Sequence, residues 1–144
     1  MSYASHAYRT VGVNTAVDAA DPHRLILMLY DGLLRHLRMG KAHMQKGDLA
    51  AKAAALSKAT SIINQGLRAS LDEEKGGEIA QNLKALYDYS ERQLLHANVR
   101  NDATKIDEVI ALFEPLREAW VGIGAQVAGP PPSAAAAAAR GAAR

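Results

Sequence analysis

The amino-acid sequence predicts an all-α protein: an antiparallel up-down four-helix bundle with an N-terminal arm or short extra helix and a disordered C-terminal tail. Apolar residues recur at the three- and four-residue spacing of helices, and no alternating strand pattern competes with them. Capping and turn residues divide the region 22–127 into four segments of about 20 residues each. Ala, Leu, Lys and Glu are plentiful whereas Val, Phe and Thr are few, which favours helices.

Length, charge and composition exclude several classes of protein. A chain of 144 residues forms one domain that can bury a core without disulfides, and it contains no cysteine. Its formal net charge of +2 is too balanced to indicate a nucleic-acid-binding protein. No apolar run reaches the ~20 residues that span a bilayer, so no stable membrane insertion is expected. The N-terminus lacks the features of a signal peptide, and we expect a cytoplasmic protein.

The region 1–21 predicts an arm rather than a folded unit. Its few larger side chains, such as Tyr8 and Val13, stand among small and polar neighbours. The arm is therefore either a flexible terminus or a segment that docks on the bundle. At the other end, the region 128–144 is a low-complexity Pro/Ala tail that takes no part in the predicted fold.

The first helix opens with a strong start signal and carries two apolar stripes. The Asp21 carboxylate can accept hydrogen bonds from the first turn, and Pro22 suits the first helical position. The first stripe comprises Leu25, Leu29, Leu33 and Leu37. The second stripe comprises Ile26, Tyr30 and Leu34. Such a helix either lies at the centre of a bundle or offers its second stripe to a partner.

Turn residues mark the limits of the other helices. The sequence predicts helices over Pro22–Gln45, Leu49–Leu71 and Glu78–Val99, and a fourth that carries apolar residues from Ile106 to Ile123. The glycine pair Gly76 and Gly77 is expected to end any helical run. Pro115 lies inside the fourth pattern and is expected to kink that helix near Ala111 or Leu112.

The sequence offers little support for an enzyme or for a cofactor. It lacks the Glu-x-x-His motif of di-iron bundles, and it has no cysteine nucleophile and no glycine-rich phosphate loop. One alternative is a histidine phosphotransfer bundle that uses His36, because Gly40 follows four residues later as it does in those domains. Met39 stands where those domains usually have a lysine, and His36 can also be read as an ordinary helix histidine.

Four stretches of the sequence together resemble the flagellar secretion chaperone family, FliS. They are Ala7–Thr15 in the arm, Pro22–Leu33 in the first helix, Leu86–Asn98 in the third and Leu116–Trp120 in the fourth. Each stretch is weak alone, but their order and spacing make a specific signal. The extended connection Ala16–Ala20 and Pro115 depart from the family pattern.

The resemblance implies a non-enzymatic chaperone that binds the disordered C-terminal segment of flagellin in apolar grooves. Such a chaperone prevents premature polymerisation and delivers flagellin to the flagellar type III export apparatus, where an export gate component is a second partner. The resemblance also implies that the arm covers the groove until flagellin displaces it. The residues expected to line the partner groove are Ile26, Met28, Tyr30, Leu34, Tyr89 and Asn98, and Tyr8 and Val13 of the arm are expected to cover it.

Other residues have more than one interpretation. Tyr87 and Trp120 are expected in the core, with their polar atoms near the bundle ends. A basic strip follows the first helix at Arg35, Arg38 and Lys41. Such a strip is usually a solvated face, but it can also meet an acidic partner. A third functional class is a helical scaffold that associates with itself through its first helix. The sequence also leaves open whether the protein forms a weak homodimer through the groove.

Overall fold

The computed structural model describes residues 21–126, with side chains as far as Ile123, and within that range it contains four helices and no strand. Helix α1 is Pro22–Lys46, α2 is Leu49–Ser61 with a π-helical continuation Ile62–Arg68, α3 is Glu73–Arg100, and α4 is Ala103–Gln126. Short connections make consecutive helices antiparallel. This confirms the predicted bundle. The predictions for the tail and for Tyr8 and Val13 lie outside the described residues.

Capping residues set the ends of α1 and the start of α2, as the sequence predicted. The backbone N–H of Arg24 donates to Asp21 Oδ1 at 2.7 Å. Gly47 ends α1 in the left-handed conformation, with φ 78°, which glycine adopts without a steric penalty. The backbone N–H of Ala51 then donates to Asp48 Oδ1 at 3.2 Å, and only two residues separate α1 from α2.

The start of α3 differs from the prediction. Regular helix runs from Glu78, as expected, but an additional turn, Glu73–Gly76, precedes it, so the glycine pair does not exclude helical structure. The Asp72 carboxylate accepts a hydrogen bond from the Lys75 N–H and stabilises this turn. Gly77 joins the turn to the helix with φ 53° and ψ −129°.

The second helix also departs from the expected pattern. A regular helix was predicted as far as Leu71, whereas the chain is π-helical over Ile62–Arg68. Pro115 lies inside α4, as the sequence predicted, and the kink expected near Ala111 or Leu112 stays a prediction. The fourth helix is therefore one element from Ala103 to Gln126 despite the loss of one backbone donor.

The core lies along α1, which packs against both α2 and α4. The first stripe of α1 is fully buried, as predicted: Leu25, Leu29, Leu33 and Leu37 have no exposed surface. Tyr87 stacks on Phe113 with ring centroids 6.0 Å apart. Trp120 packs against the edge of the core, and its indole N–H donates to the His23 carbonyl at 2.8 Å. Tyr87 is therefore in the core, as the sequence analysis expected, whereas Trp120 is half-buried at its edge.

Two glycines allow α1 and α2 to approach closely. A Cβ atom added at Gly40 would lie 2.8 Å from Leu56 Cδ2, and one added at Gly66 would lie 2.8 Å from Leu29 Cδ2. Each leucine therefore occupies the space that a side chain at the facing glycine would need. By contrast, α2 packs against α3 much less extensively, which leaves an open groove between these two helices.

Candidate functional site

An open groove with a volume of about 590 Å³ runs between α2 and α3, and we call it the α2–α3 groove. Its α2 wall carries small side chains at four-residue spacing, Ala53, Ser57 and Ser61. Its α3 wall carries Leu95, which is 63% exposed. An isolated exposed leucine is ordinary, but this one lines a concave surface that a partner can enter.

Asn98 gives the α2–α3 groove an available polar group at one end. Its backbone carbonyl accepts a hydrogen bond from Lys52 Nζ at 2.8 Å. Its side-chain amide forms no hydrogen bond with any of the described residues. Since an amide side chain offers both donors and an acceptor, Asn98 can bind the backbone of a ligand in this groove.

The two ends of the α2–α3 groove are bridged by cations from α2. The buried Lys52 ammonium reaches the end of α3, where it also donates to Asn101 Oδ1 at 2.6 Å. At the other end the Arg68 guanidinium bonds to both Asp88 and Glu91. Although burial alone lowers the pKa of Arg68, its hydrogen bonds with Glu91 and Asp88 raise that pKa above the usual value.

A second, smaller depression of about 380 Å³ lies between α1 and α4 and has charged walls. Arg117 pairs with Asp31, and Arg38 pairs with Glu114, across this depression. Lys41 pairs with Asp107 of α4 at 2.8 Å, farther along the same seam. Two of the three cations in the predicted basic strip are therefore neutralised by α4.

The predicted binding residues of α1 have little exposed surface. Tyr30 and Leu34 are 5% and 3% exposed, and Leu34 forms part of the floor of the α1–α4 depression. Ile26 and Met28 are half-buried and pack against the core. Burial raises the pKa of Tyr30, while a hydrogen bond with Tyr87 lowers it. In this conformation a partner can reach Tyr30 and Leu34 only after a rearrangement.

The predicted pair on α3 is divided between two surfaces. Asn98 lines the α2–α3 groove, whereas the Tyr89 hydroxyl donates to Glu108 of α4. That hydrogen bond is the main reason why the pKa of Tyr89 is raised. The Arg92 guanidinium lies 6.0 Å from the centre of the Tyr89 ring and also lines the groove. Tyr89 therefore contacts the groove wall through Arg92 rather than lining the groove itself.

His36, the residue on which the phosphotransfer alternative depends, is half-buried. Its Nδ1 atom is buried and has no hydrogen-bond partner in the structure as described. Burial lowers the pKa of His36, and the charges of Arg35 and Lys58 lower it further. The lowered pKa favours the neutral form of the imidazole. Among the described residues there is also no cluster of His, Asp and Glu that could hold a metal ion.

Sequence reasoning missed three residues of the α2–α3 groove. Leu95 directly follows the buried Leu94, and adjacent helix residues lie 100° apart, so the pair itself indicated that one leucine faces away from the core. Lys52 gave no such signal, because a lysine on a helix is usually exposed. No sequence signal identified Arg68 either, because the acidic residues that it pairs with lie 20 and 23 residues away in the chain.

None of the helices in the described part of the chain is long and apolar enough to cross a membrane.

The family model described as "Flagellar protein FliS" matches residues 4–127. This match extends over all four helices and most of the arm region. The resemblance noted in the sequence is therefore confirmed.

Individual relatives agree with the family match. The flagellar secretion chaperone FliS of Salmonella typhimurium is 51% identical over 122 residues, which cover 85% of this chain and 90% of the relative. FliS of Escherichia coli is 46% identical over 116 residues, covering 81% and 85% of the two chains. These similarities give no support to the phosphotransfer alternative. The chain belongs to the FliS family, which is a family of flagellar secretion chaperones and not of enzymes.

Proposed function

We propose that this protein is a cytoplasmic chaperone that binds the disordered C-terminal segment of flagellin. It prevents premature polymerisation of flagellin and delivers it to the flagellar type III export apparatus. The relatives are named as flagellar secretion chaperones, which supports the secretion role. Flagellin and an export gate component are the partners that the family resemblance implies. The observation that carries the binding step is the α2–α3 groove.

The α2–α3 groove combines the features that an apolar peptide face requires. Leu95 is largely exposed, and covering such a side chain stabilises a complex by about 1.5–3 kcal/mol. The small side chains of Ala53 and Ser57 let a ligand approach the α2 backbone closely. The Asn98 side-chain amide at one end, which forms no hydrogen bond with the described residues, can hydrogen-bond the ligand backbone. Because a disordered segment loses conformational entropy when it binds, the net affinity stays moderate and release remains accessible.

The other predicted residues belong to this proposal with different roles. Ile26 and Met28 would extend the contact surface onto α1, where they are half-buried. Tyr30 and Leu34 would join it only if flagellin displaces what covers them. By resemblance, Tyr8 and Val13 of the arm would occupy the groove until flagellin binds.

A calorimetric titration with a peptide of the flagellin C-terminal segment tests the proposal. Leu95→Ser should weaken binding by at least about tenfold, as expected from the loss of its apolar contact. The matched control is Met39→Ser on α1, because Met39 is also exposed, at 42%, but does not line the groove. Both changes lie on the surface and should leave stability within about 0.5 kcal/mol of the wild type.

The outcomes of the titration separate two errors. Binding by the wild-type protein should show a large negative heat-capacity change, the signature of apolar burial. Absence of any binding would contradict the chaperone function itself. Equal losses in Leu95→Ser and Met39→Ser, or none in either, would show that flagellin binds elsewhere on the protein.

A further inference from the structure

Each end of the α2–α3 groove is closed by a long cationic side chain that begins on α2 and ends on α3. These two contacts, made by Lys52 and Arg68, have no part in the apolar core. They differ from the exposed ion pairs between α1 and α4, because Lys52 is only 5% exposed and the Arg68 side chain only 22%. Their burial and position suggest a role in shaping the groove.

Lys52 closes the end of the groove at which α3 stops. Its ammonium donates to the Asn98 carbonyl at 2.8 Å and to Asn101 Oδ1 at 2.6 Å. Carbonyl groups in the last turn of a helix lack intrahelical partners and carry partial negative charge, so a cation is favourable there. Lys52 thereby fixes the last turn of α3 against the first turn of α2.

Arg68 closes the opposite end. Its side chain leaves the π-helical segment toward the N-terminus of its own helix, as helical side chains do, and reaches α3. Asn64 Oδ1 accepts a hydrogen bond from Arg68 Nε at 3.0 Å and holds the guanidinium in place. The remaining nitrogens bond to Asp88 and Glu91, two acidic residues that line the groove.

The distance between the two bridges limits what the groove can hold. On α2 the lining residues extend from Ala53 to Ser61, about 12 Å along a helix, and on α3 from Asp88 to Asn98, about 15 Å. Such a length accommodates about 8–10 residues of α-helix, or about 4 residues of extended chain.

A helical ligand fits the chemistry of this groove better than an extended one. The floor is formed by the apolar side chains of Leu56 and Leu94, which offer nothing to backbone N–H and C=O groups. An extended chain would leave those groups unpaired, whereas a helix satisfies its own. Only the ends of a short helix need partners, and the side-chain amide of Asn98 lies at one end of the groove.

We propose that Lys52 and Arg68 are positioning residues that act as end-stops, fixing the register of one amphipathic helical stretch of flagellin, about 8–10 residues long, in the α2–α3 groove. This inference rests on the proposed function. It adds that the groove accepts the flagellin helix in one register and with a limited length. The Lys52 and Arg68 bridges, rather than the apolar floor, determine both. An apolar floor alone would tolerate a ligand that slips by one helical turn.

Register can be measured directly by site-specific photocrosslinking, since the chain contains no cysteine of its own. Val99→Cys, on the exposed surface one turn beyond Leu95, is labelled with a benzophenone maleimide. The labelled protein is irradiated with a peptide of the flagellin C-terminal segment, and the crosslinked peptide positions are identified by mass spectrometry. With Arg68 intact, crosslinks should fall on one position or on two neighbouring positions.

Removal of the Arg68 bridge should distribute the crosslinks over more positions of the peptide. The affinity for the peptide should stay nearly unchanged. In Arg68→Met they should also appear three or four residues away, which is one helical turn, with a change in Kd below about threefold. Arg68→Lys should restore a single register. The matched control is Arg35→Met, which removes an exposed arginine of α1 that does not line the groove. A merely structural role for Arg68 would change affinity or stability without changing the crosslinked positions.

Removing the bridge from its α3 side provides a second test that does not depend on how Arg68→Met folds. The double substitution Asp88→Asn and Glu91→Gln should spread the crosslinks in the same way. A single register in both bridge variants would overturn the end-stop inference while the chaperone function stands. If even the wild-type protein gave no crosslink and bound no peptide, the proposed function would fail and the end-stop role with it.

Discussion

Small residues have opposite effects on packing at the two sides of α2. Toward α1, Gly40 and Gly66 let the helices approach so closely that an added Cβ atom would lie 2.8 Å from a leucine methyl group. Toward α3, Ala53 and Ser57 are also small, but an open groove of about 590 Å³ lies in front of them. Small residues therefore permit a close approach without determining it.

What faces the small residues explains the difference. At the α1–α2 contact, Leu56 and Leu29 fill the space beside the glycines and are buried to 2% and 0% exposure. At the α2–α3 contact, the polar bridges of Lys52 and Arg68 connect the helices only at the ends of the groove. One side of α2 stabilises the fold, and the other side leaves a surface free for a partner.

The largest expected effect on stability tests the close packing between α1 and α2. Gly66→Ala should lower the free energy of unfolding by about 1–3 kcal/mol, because the new methyl group overpacks the buried Leu29. The matched control is Gly122→Ala on α4, where a Cβ atom meets nothing within 4 Å. There, removal of a glycine from a helix should stabilise the protein by about 0.5–1 kcal/mol. Chemical denaturation of both variants measures the contrast, and equal effects would contradict close packing at Gly66.

A somewhat smaller loss is expected at one end of the groove. Lys52→Met keeps the length of the side chain but leaves the Asn98 carbonyl and the Asn101 amide oxygen without their donor. The free energy of unfolding should fall by about 1–2 kcal/mol. Lys75→Met changes an exposed lysine in the same way and should alter stability by less than about 0.5 kcal/mol. Thermal unfolding that is identical for the two variants would mean that the Lys52 bridge contributes nothing to the fold.

The stability of the protein should depend on pH through His36 of α1. Burial, and then the charges of Arg35 and Lys58, lower the pKa of His36 in the folded protein. The unfolded chain therefore binds the proton more readily. The stability contribution of His36 is complete above its unfolded pKa of about 6.5 and is lost as pH falls below that value toward the folded pKa.

Denaturation midpoints at about pH 7.5 and 5.5 test this linkage, since the two values bracket the unfolded histidine pKa. The wild-type protein should lose more stability between these two values than His36→Gln. A variant with the same pH dependence as the wild type would show that His36 does not contribute to it.

The smallest expected effect on stability tests the open side. Ser57→Leu adds bulk where the groove is empty, so the free energy of unfolding should change by less than about 0.5 kcal/mol. The same change should block entry of a flagellin peptide and weaken its binding by about tenfold or more. A large loss of stability would mean that α2 and α3 pack together here after all.

Local sequence signals predicted the features that depend on local interactions. Asp21, Gly47 and Asp48 define helix ends through contacts within a few residues, and the leucines at four-residue spacing in α1 identified the core stripe. The additional turn before Gly77 was missed because two adjacent glycines are usually a helix terminator, and the cap from Asp72 outweighed them here.

The groove could not be located in the same way, because it depends on how the helices are placed relative to one another. Tyr30 was assigned to a partner surface, but in the structure its neighbours Tyr87 and Phe113 belong to other helices. Lys52 looked like a surface residue until the end of α3 supplied its acceptors. Asn98, in contrast, was predicted to bind a ligand backbone because of its amide chemistry, and it lies in the groove. Its binding role stays a prediction.

Cysteine footprinting tests most directly whether the open side of α2 is the surface that holds flagellin. Ser57→Cys and Met39→Cys each place a single thiol on the surface of a chain without cysteine, the first in the α2–α3 groove and the second on α1. A bound peptide of the flagellin C-terminal segment should slow alkylation of the thiol in Ser57→Cys by about tenfold or more and leave that in Met39→Cys unchanged. Protection of Met39→Cys with no protection of Ser57→Cys would contradict this account and place flagellin on α1.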